Sequence, residues 1–68
     1  MKIEFLTSKY VYNAGHEPKG RGWWWFTFEG YEFQATGTYS EAKKACRAYV
    51  KSVAPEDYIG TVYVTVEP

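Results

Sequence analysis

A chain of 68 residues can form one small domain, and a domain of that size buries only about 60% of the surface its unfolded form exposes, so each core side chain matters. Its 46% apolar and 21% aromatic content excludes the disordered class, while a single cysteine excludes an internal disulfide and makes a reducing cytoplasm the expected location. Eight Lys plus Arg balance eight Asp plus Glu, and zero formal net charge disfavours nucleic acid as the partner, because phosphate neutralisation shows as a basic domain.

The first element is KIEFL, where Ile3 and Phe5 alternate with Lys2 and Glu4 as in a half-buried strand. The following TSKYVYN either extends that strand or bends away as an edge. From Asn13 to Gly22 the sequence NAGHEPKGRG holds three glycines and a proline without periodicity and reads as a mobile loop.

Trp23 to Thr36, WWWFTFEGYEFQAT, reads as a hairpin turning at Glu29-Gly30. A two-residue loop sets Phe28 opposite Tyr31, Phe26 opposite Phe33 and Trp24 opposite Ala35 on one face. The other face then pairs Thr27 with Glu32, Trp25 with Gln34 and Trp23 with Thr36. A slip of one residue would place Glu32 and Gln34 among the phenylalanines, so the alternation favours this register. Of the three consecutive tryptophans, Trp24 belongs to the core and Trp23 and Trp25 point away from it.

GTYSEAKKACRAYVKSV reads as a helix opened by a capping box, Thr38 with Glu41 three residues on. Ala42, Ala45, Cys46, Tyr49, Val50 and Val53 form its apolar stripe, and Pro55 stops it. In the last strand Val62, Val64 and Val66 point inward and Thr61, Tyr63 and Thr65 outward. The expected fold is α+β, β-β-β-α-β in a single domain spanning residues 1–68: an antiparallel sheet with one helix on one face and the other face open. Whether the last strand lies beside the first or the third is undecided by any residue.

The open face is the first candidate site, because exposed Trp and Tyr side chains dominate binding hot spots. Trp23, Trp25 and Tyr63 form its expected aromatic anchor, with Gln34 on the same face and Arg21 and Lys19 at the rim. The plain alternative is that these rings lie along the sheet, covered by the loop or by one another. Lys43, Lys44, Arg47 and Lys51 make a basic stripe on the helix, which either meets an acidic or phosphate-bearing partner or is simply a solvated face. His16 is the only histidine and Cys46 lies on the core side of the helix, so neither a metal site nor His-based acid–base chemistry assembles from them. No cofactor is implied, and an enzyme is not expected.

The stretch WWWFTFEGYEFQATGTYSEAKKACRAYVKS resembles the AP2-like module of plant transcription factors and phage-integrase N-termini, with GTYSEA entering an Ala-rich helix as the most specific element. The resemblance covers a little under half of the chain. It implies a three-stranded sheet whose open face lies in the DNA major groove, with Trp23 and Trp25 on the reading face. Glu32 and Gln34 stand where that family places basic residues, and a fourth strand is a further departure.

The expected function is that of a small non-enzymatic binding protein that docks on a larger protein or nucleoprotein complex. In size and in lack of catalytic groups the chain resembles accessory proteins of phages and mobile elements, including anti-CRISPR and other anti-defence inhibitors. An AP2-like nucleic-acid-binding module is the alternative, and a structural homodimer a further one. No apolar run approaches the ~20 residues of a transmembrane helix, so no membrane partner is expected.

Overall fold

The computed structural model describes all residues, Met1–Pro68. In chain order the elements are β1 (Lys2–Leu6), α1 (Ser8–Ala14), β2 (Arg21–Phe28), β3 (Tyr31–Thr38), α2 (Tyr39–Val53) and β4 (Thr61–Glu67). The fold is α+β, with the four strands in one sheet ordered β1-β4-β2-β3. Two features correct the expectation. The sheet is mixed, not antiparallel throughout, and a second helix makes the order β-α-β-β-α-β.

Both corrections come from the position of β4. The strand lies between β1 and β2, parallel to β1 (Ile3 beside Val62, Phe5 beside Val64) and antiparallel to β2 (Phe26 beside Val66). Since β4 occupies the place next to β1, the chain leaving Leu6 cannot fold straight back as a hairpin. It crosses the end of β4 instead, and the crossing segment winds into α1. Tyr10, Val11 and Tyr12 favour strands on intrinsic preference, so tertiary position overrides local propensity here. Gly15 closes the helix at φ 80, its N–H donating to the Val11 carbonyl at 2.8 Å. No residue of α1 is buried and Thr7 gives no side-chain cap. The helix is anchored by the Tyr10 ring against Trp24, 5.7 Å between centroids, and by Lys9 on Glu67.

The hairpin has the expected register from Phe28 beside Tyr31 to Trp23 beside Thr36. Glu29 (φ 45) and Gly30 (φ 84) both take positive φ, as the type I′ turn requires to match the twist of its strands. At the start of α2 the capping box is complete. The Glu41 N–H donates to Thr38 Oγ1 at 3.1 Å and the Thr38 N–H donates to Glu41 Oε1 at 2.9 Å; this second bond, with the Thr38 hydroxyl beside it, holds the Glu41 carboxyl below its ordinary range. The α2 helix then returns the chain to the far end of the sheet, so β4 runs in the direction of β3.

The core lies between the sheet and α2. It is built from Trp24, Phe26 and Phe28 of β2, Val62, Val64 and Val66 of β4, and Ala42, Cys46 and Val50 of α2. Phe26 sits at its centre, and full burial of such a side chain is worth about 1.5–3 kcal/mol. The apolar stripe is narrower than expected, for Ala45 is exposed. The expected loop over residues 13–22 shrinks to 15–20. It is tied down by buried Pro18 and by the Tyr39 N–H donating to the Gly20 carbonyl at 3.0 Å.

Candidate interaction site on the open sheet face

Alternation along β2 sends Trp24, Phe26 and Phe28 into the core and leaves Arg21, Trp23, Trp25 and Thr27 in a row on the other face. Thr36, Gln34 and Glu32 of β3 stand beside the last three of these. The Trp23 and Trp25 rings stack with centroids 6.4 Å apart and planes 21° from parallel. That spacing matches the ~6.6 Å rise of two strand residues, the separation of successive side chains on one face. The Trp25 indole N–H donates to Glu32 Oε1 at 3.2 Å, which fixes the inner ring. Trp23, at the outer end, is 59% exposed. The pair is thus one aromatic row in which Trp23 is the more exposed member.

Tyr63 does not join them, which corrects the three-ring anchor. It is 58% exposed, but β4 is offset against β2 so that Glu67 stands beside Trp25 and Thr65 beside Thr27. Tyr63, four residues before Glu67, is thus about 13 Å further along the strand and lies beside Glu4 of β1. It lines a shallow depression with Thr27, Glu29, Glu32 and Thr65. Gln34 is exposed between Trp25 and the sheet edge, Arg21 is exposed two residues before Trp23 in the same row, and Lys19 is exposed in the preceding loop.

Carboxylates share this face. Glu4 pairs with Lys2 at 3.0 Å. Glu67 accepts from Lys9 Nζ at 2.9 Å and from Thr27 Oγ1 at 2.6 Å, and the hydroxyl and ammonium together hold its carboxyl below the ordinary range. Sequence reasoning missed this pair. The alternation of β4 carries on to Glu67 and would have placed it on the open face, but Lys9 becomes its neighbour only through α1.

The basic stripe divides. Lys43 Nζ lies 4.7 Å from the Tyr39 ring centroid, and the Arg47 guanidinium lies 5.1 Å from that of Phe5. These two side chains cover the flank of the core on the β1 side. Lys44 and Lys51 are exposed. A further feature that sequence did not reveal is an apolar cleft of about 400 Å³ between the hairpin turn and the end of α2, lined by Phe28, Tyr31, Val50, Val53, Tyr58 and Val62 among others. Ala54, Pro55 and Tyr58 of the connection between α2 and β4 line one side of it, and Glu29 and Tyr31 of the hairpin line another.

Compared with family models, curated proteins and solved structures, the chain matches none. No helix is long and apolar enough to cross a membrane.

Proposed function

We propose that the chain is a small non-enzymatic binding module whose open sheet face docks on a larger protein, with Trp23 as the anchor, Trp25 as its support, and Arg21 and Lys19 supplying charge at the rim. The observation that carries this is the Trp23–Trp25 stack, whose inner ring is hydrogen-bonded to Glu32 while the outer ring stands exposed. A ring held rigid before binding loses little side-chain freedom when a partner covers it, and truncating a residue of this kind typically costs a complex 2 kcal/mol or more. Glu4, Glu32 and Glu67 on the same face favour a protein over a phosphate backbone. A docking face of this kind suits a protein that acts by occupying its partner's surface, as the anti-defence inhibitors of phages do.

The experiment is a pull-down from host lysate with wild type and with Trp23→Ala/Trp25→Ala, both checked for folding by circular dichroism, with the eluates compared before and after nuclease treatment. A protein held by wild type and released by the folded double variant supports docking. Retention by both forms overturns it, and recovery of nucleic acid alone, with an affinity that falls steeply with salt, overturns it in favour of the AP2-like alternative.

A further inference from the structure

We propose that two copies of the chain join edge to edge, β3 against β3, about a two-fold axis passing through Gln34. The two edges of the sheet differ in kind. At one edge β1 is short, bears the Lys2–Glu4 ion pair, and is flanked by Lys43 and Arg47 over Phe5. Short strands and lysines are the usual guards against edge pairing. At the other edge β3 runs for eight residues without a lysine, a proline or a break in register.

The tight turn determines which backbone groups of β3 face outward. In a two-residue hairpin the flanking residues, here Phe28 and Tyr31, form a hydrogen-bonded pair, and the pattern then alternates. Phe33, Ala35 and Gly37 bond inward to β2, while Glu32, Gln34 and Thr36 turn their N–H and C=O groups away from it. Thr38 continues the outward set and has its N–H satisfied by Glu41. An antiparallel pairing centred on Gln34 uses all three open residues. Gln34 meets Gln34 of the second copy, and Glu32 meets Thr36 in both directions, each pair exchanging two hydrogen bonds. Shifting the centre to Phe33 or Ala35 brings in the turn glycine or the capped Thr38 and loses part of the ladder.

Side chains agree with this register on both faces. On the helix side Phe33 stands opposite Ala35 and Tyr31 opposite Gly37, each large residue facing a small one. On the open side the Glu32 carboxylate faces the Thr36 hydroxyl, and no like charges are directly opposed. The α2 helix also leaves room. Tyr49 stacks on Phe33 with centroids 5.1 Å apart, so the part of α2 above the middle of β3 is the part near Ala48. At about 3.6 residues per turn, Lys43, Arg47 and Lys51 fall on the β1 flank and Ala45, Ala48 and Ser52 on the β3 flank. All three small residues are exposed. Small side chains at a crossing let helix axes approach closely, as two α2 helices flanking the axis must.

The assembly would be one eight-stranded sheet with both open faces on the same side. Trp25, Gln34, Gln34 and Trp25 of the two copies would lie in one row, the two Trp25 backbones about 14 Å apart across three strand spacings. The interface leaves Trp23 free, so it neither requires nor excludes the docking proposed above.

The test is the solution mass of the full chain over a concentration series, by light scattering and sedimentation. Wild type is expected to rise from the 7.9 kDa of one chain to the mass of two. Gln34→Lys and Gln34→Glu each oppose like charges at the axis and are expected to stay at the mass of one chain while folded. Mixed in equal amounts, they should recover the mass of two, which only a position that pairs with itself allows. Ala48→Arg, exposed on α2 and outside the strand ladder, should also shift the equilibrium to the monomer if the Gln34 variants do not fold. A wild type monomeric at every concentration overturns the proposal, as does a dimer indifferent to Gln34 and Ala48. A dimer dissolved instead by Trp23→Ala/Trp25→Ala is one made by the open faces and overturns it equally.

Discussion

Lys9 and Glu67, separated by 58 positions in the chain, meet at 2.9 Å where α1 crosses the end of β4. The other carboxylate oxygen of Glu67 accepts the Thr27 hydroxyl, so one side chain joins α1, β2 and β4 on the open face. Its side chain is only 10% exposed, whereas Lys9 is well solvated. Most of the value of the contact therefore lies with the shielded Thr27 bond. An exposed lysine adds little, on the order of 0.5 kcal/mol.

Glu67→Gln should destabilise the fold by about 1 kcal/mol at neutral pH, the scale of a charge-assisted hydrogen bond weakened but not abolished. Folding lowers the Glu67 pKa from its ordinary 4.5. Its stabilisation is therefore fully present above that value and is lost as pH falls through the folded pKa. Urea unfolding of both forms at neutral and at strongly acid pH measures this, with the gap between them closing in acid. A gap that persists in acid would assign the effect to packing.

Cys46 is fully buried on α2, and burial pushes its thiol up to about 11. At neutral pH the native protein should therefore be silent to thiol reagents and react fully once unfolded in denaturant. Cys46→Ser should cost about 1–3 kcal/mol by placing a hydroxyl without a partner in the core, and Cys46→Ala should cost less. Rapid labelling of the folded form would mean that α2 lifts from the sheet far more readily than its packing implies.

The hairpin turn can be improved. Glu29 holds φ 45, a conformation in which asparagine is at ease and glutamate is strained. Glu29→Asn should stabilise the protein by roughly 0.5 kcal/mol, and Gly30→Ala should destabilise it by about 1 kcal/mol because Gly30 needs φ 84. Thermal melts of the two variants should move in opposite directions from wild type. Movement in the same direction would mean that the turn is not type I′ in solution.

How much of this was legible in the sequence depended on the range of the interaction. The hairpin faces could be read from Trp23 to Thr36 because aromatic and polar residues alternate there and any slip buries Glu32. The capping box at Thr38 and Glu41 is equally local. The α1 helix was not legible, since Tyr10, Val11 and Tyr12 favour strands and Gly15 reads as part of the loop that follows. The valines of β4 told which face is buried but not which neighbours the strand takes, so the parallel pairing with β1 stayed hidden. The offset that separates Tyr63 from Trp25 is likewise a property of two strands distant in sequence. Local periodicity sets which face a residue occupies, and long-range pairing sets which residues meet on that face.

The three consecutive tryptophans should separate in a stability series, and the separation bears directly on the docking face. Trp24 is 4% exposed and its indole N–H donates to the Gly37 carbonyl at 3.0 Å, so Trp24→Ala should cost about 3–5 kcal/mol. Stability of about 0.05–0.15 kcal/mol per residue leaves a chain of this length close to unfolding after such a loss. Trp25→Ala removes a half-buried ring and its bond to Glu32 and should cost about 1 kcal/mol. Trp23→Ala, at the exposed end of the row, should stay within about 0.5 kcal/mol of wild type. Urea unfolding of the three variants gives the order. If Trp23→Ala proves as damaging as Trp24→Ala, the outer ring is structural and the proposed anchor is lost. If it is neutral, the exposed ring is not needed for folding and stays available as the proposed anchor.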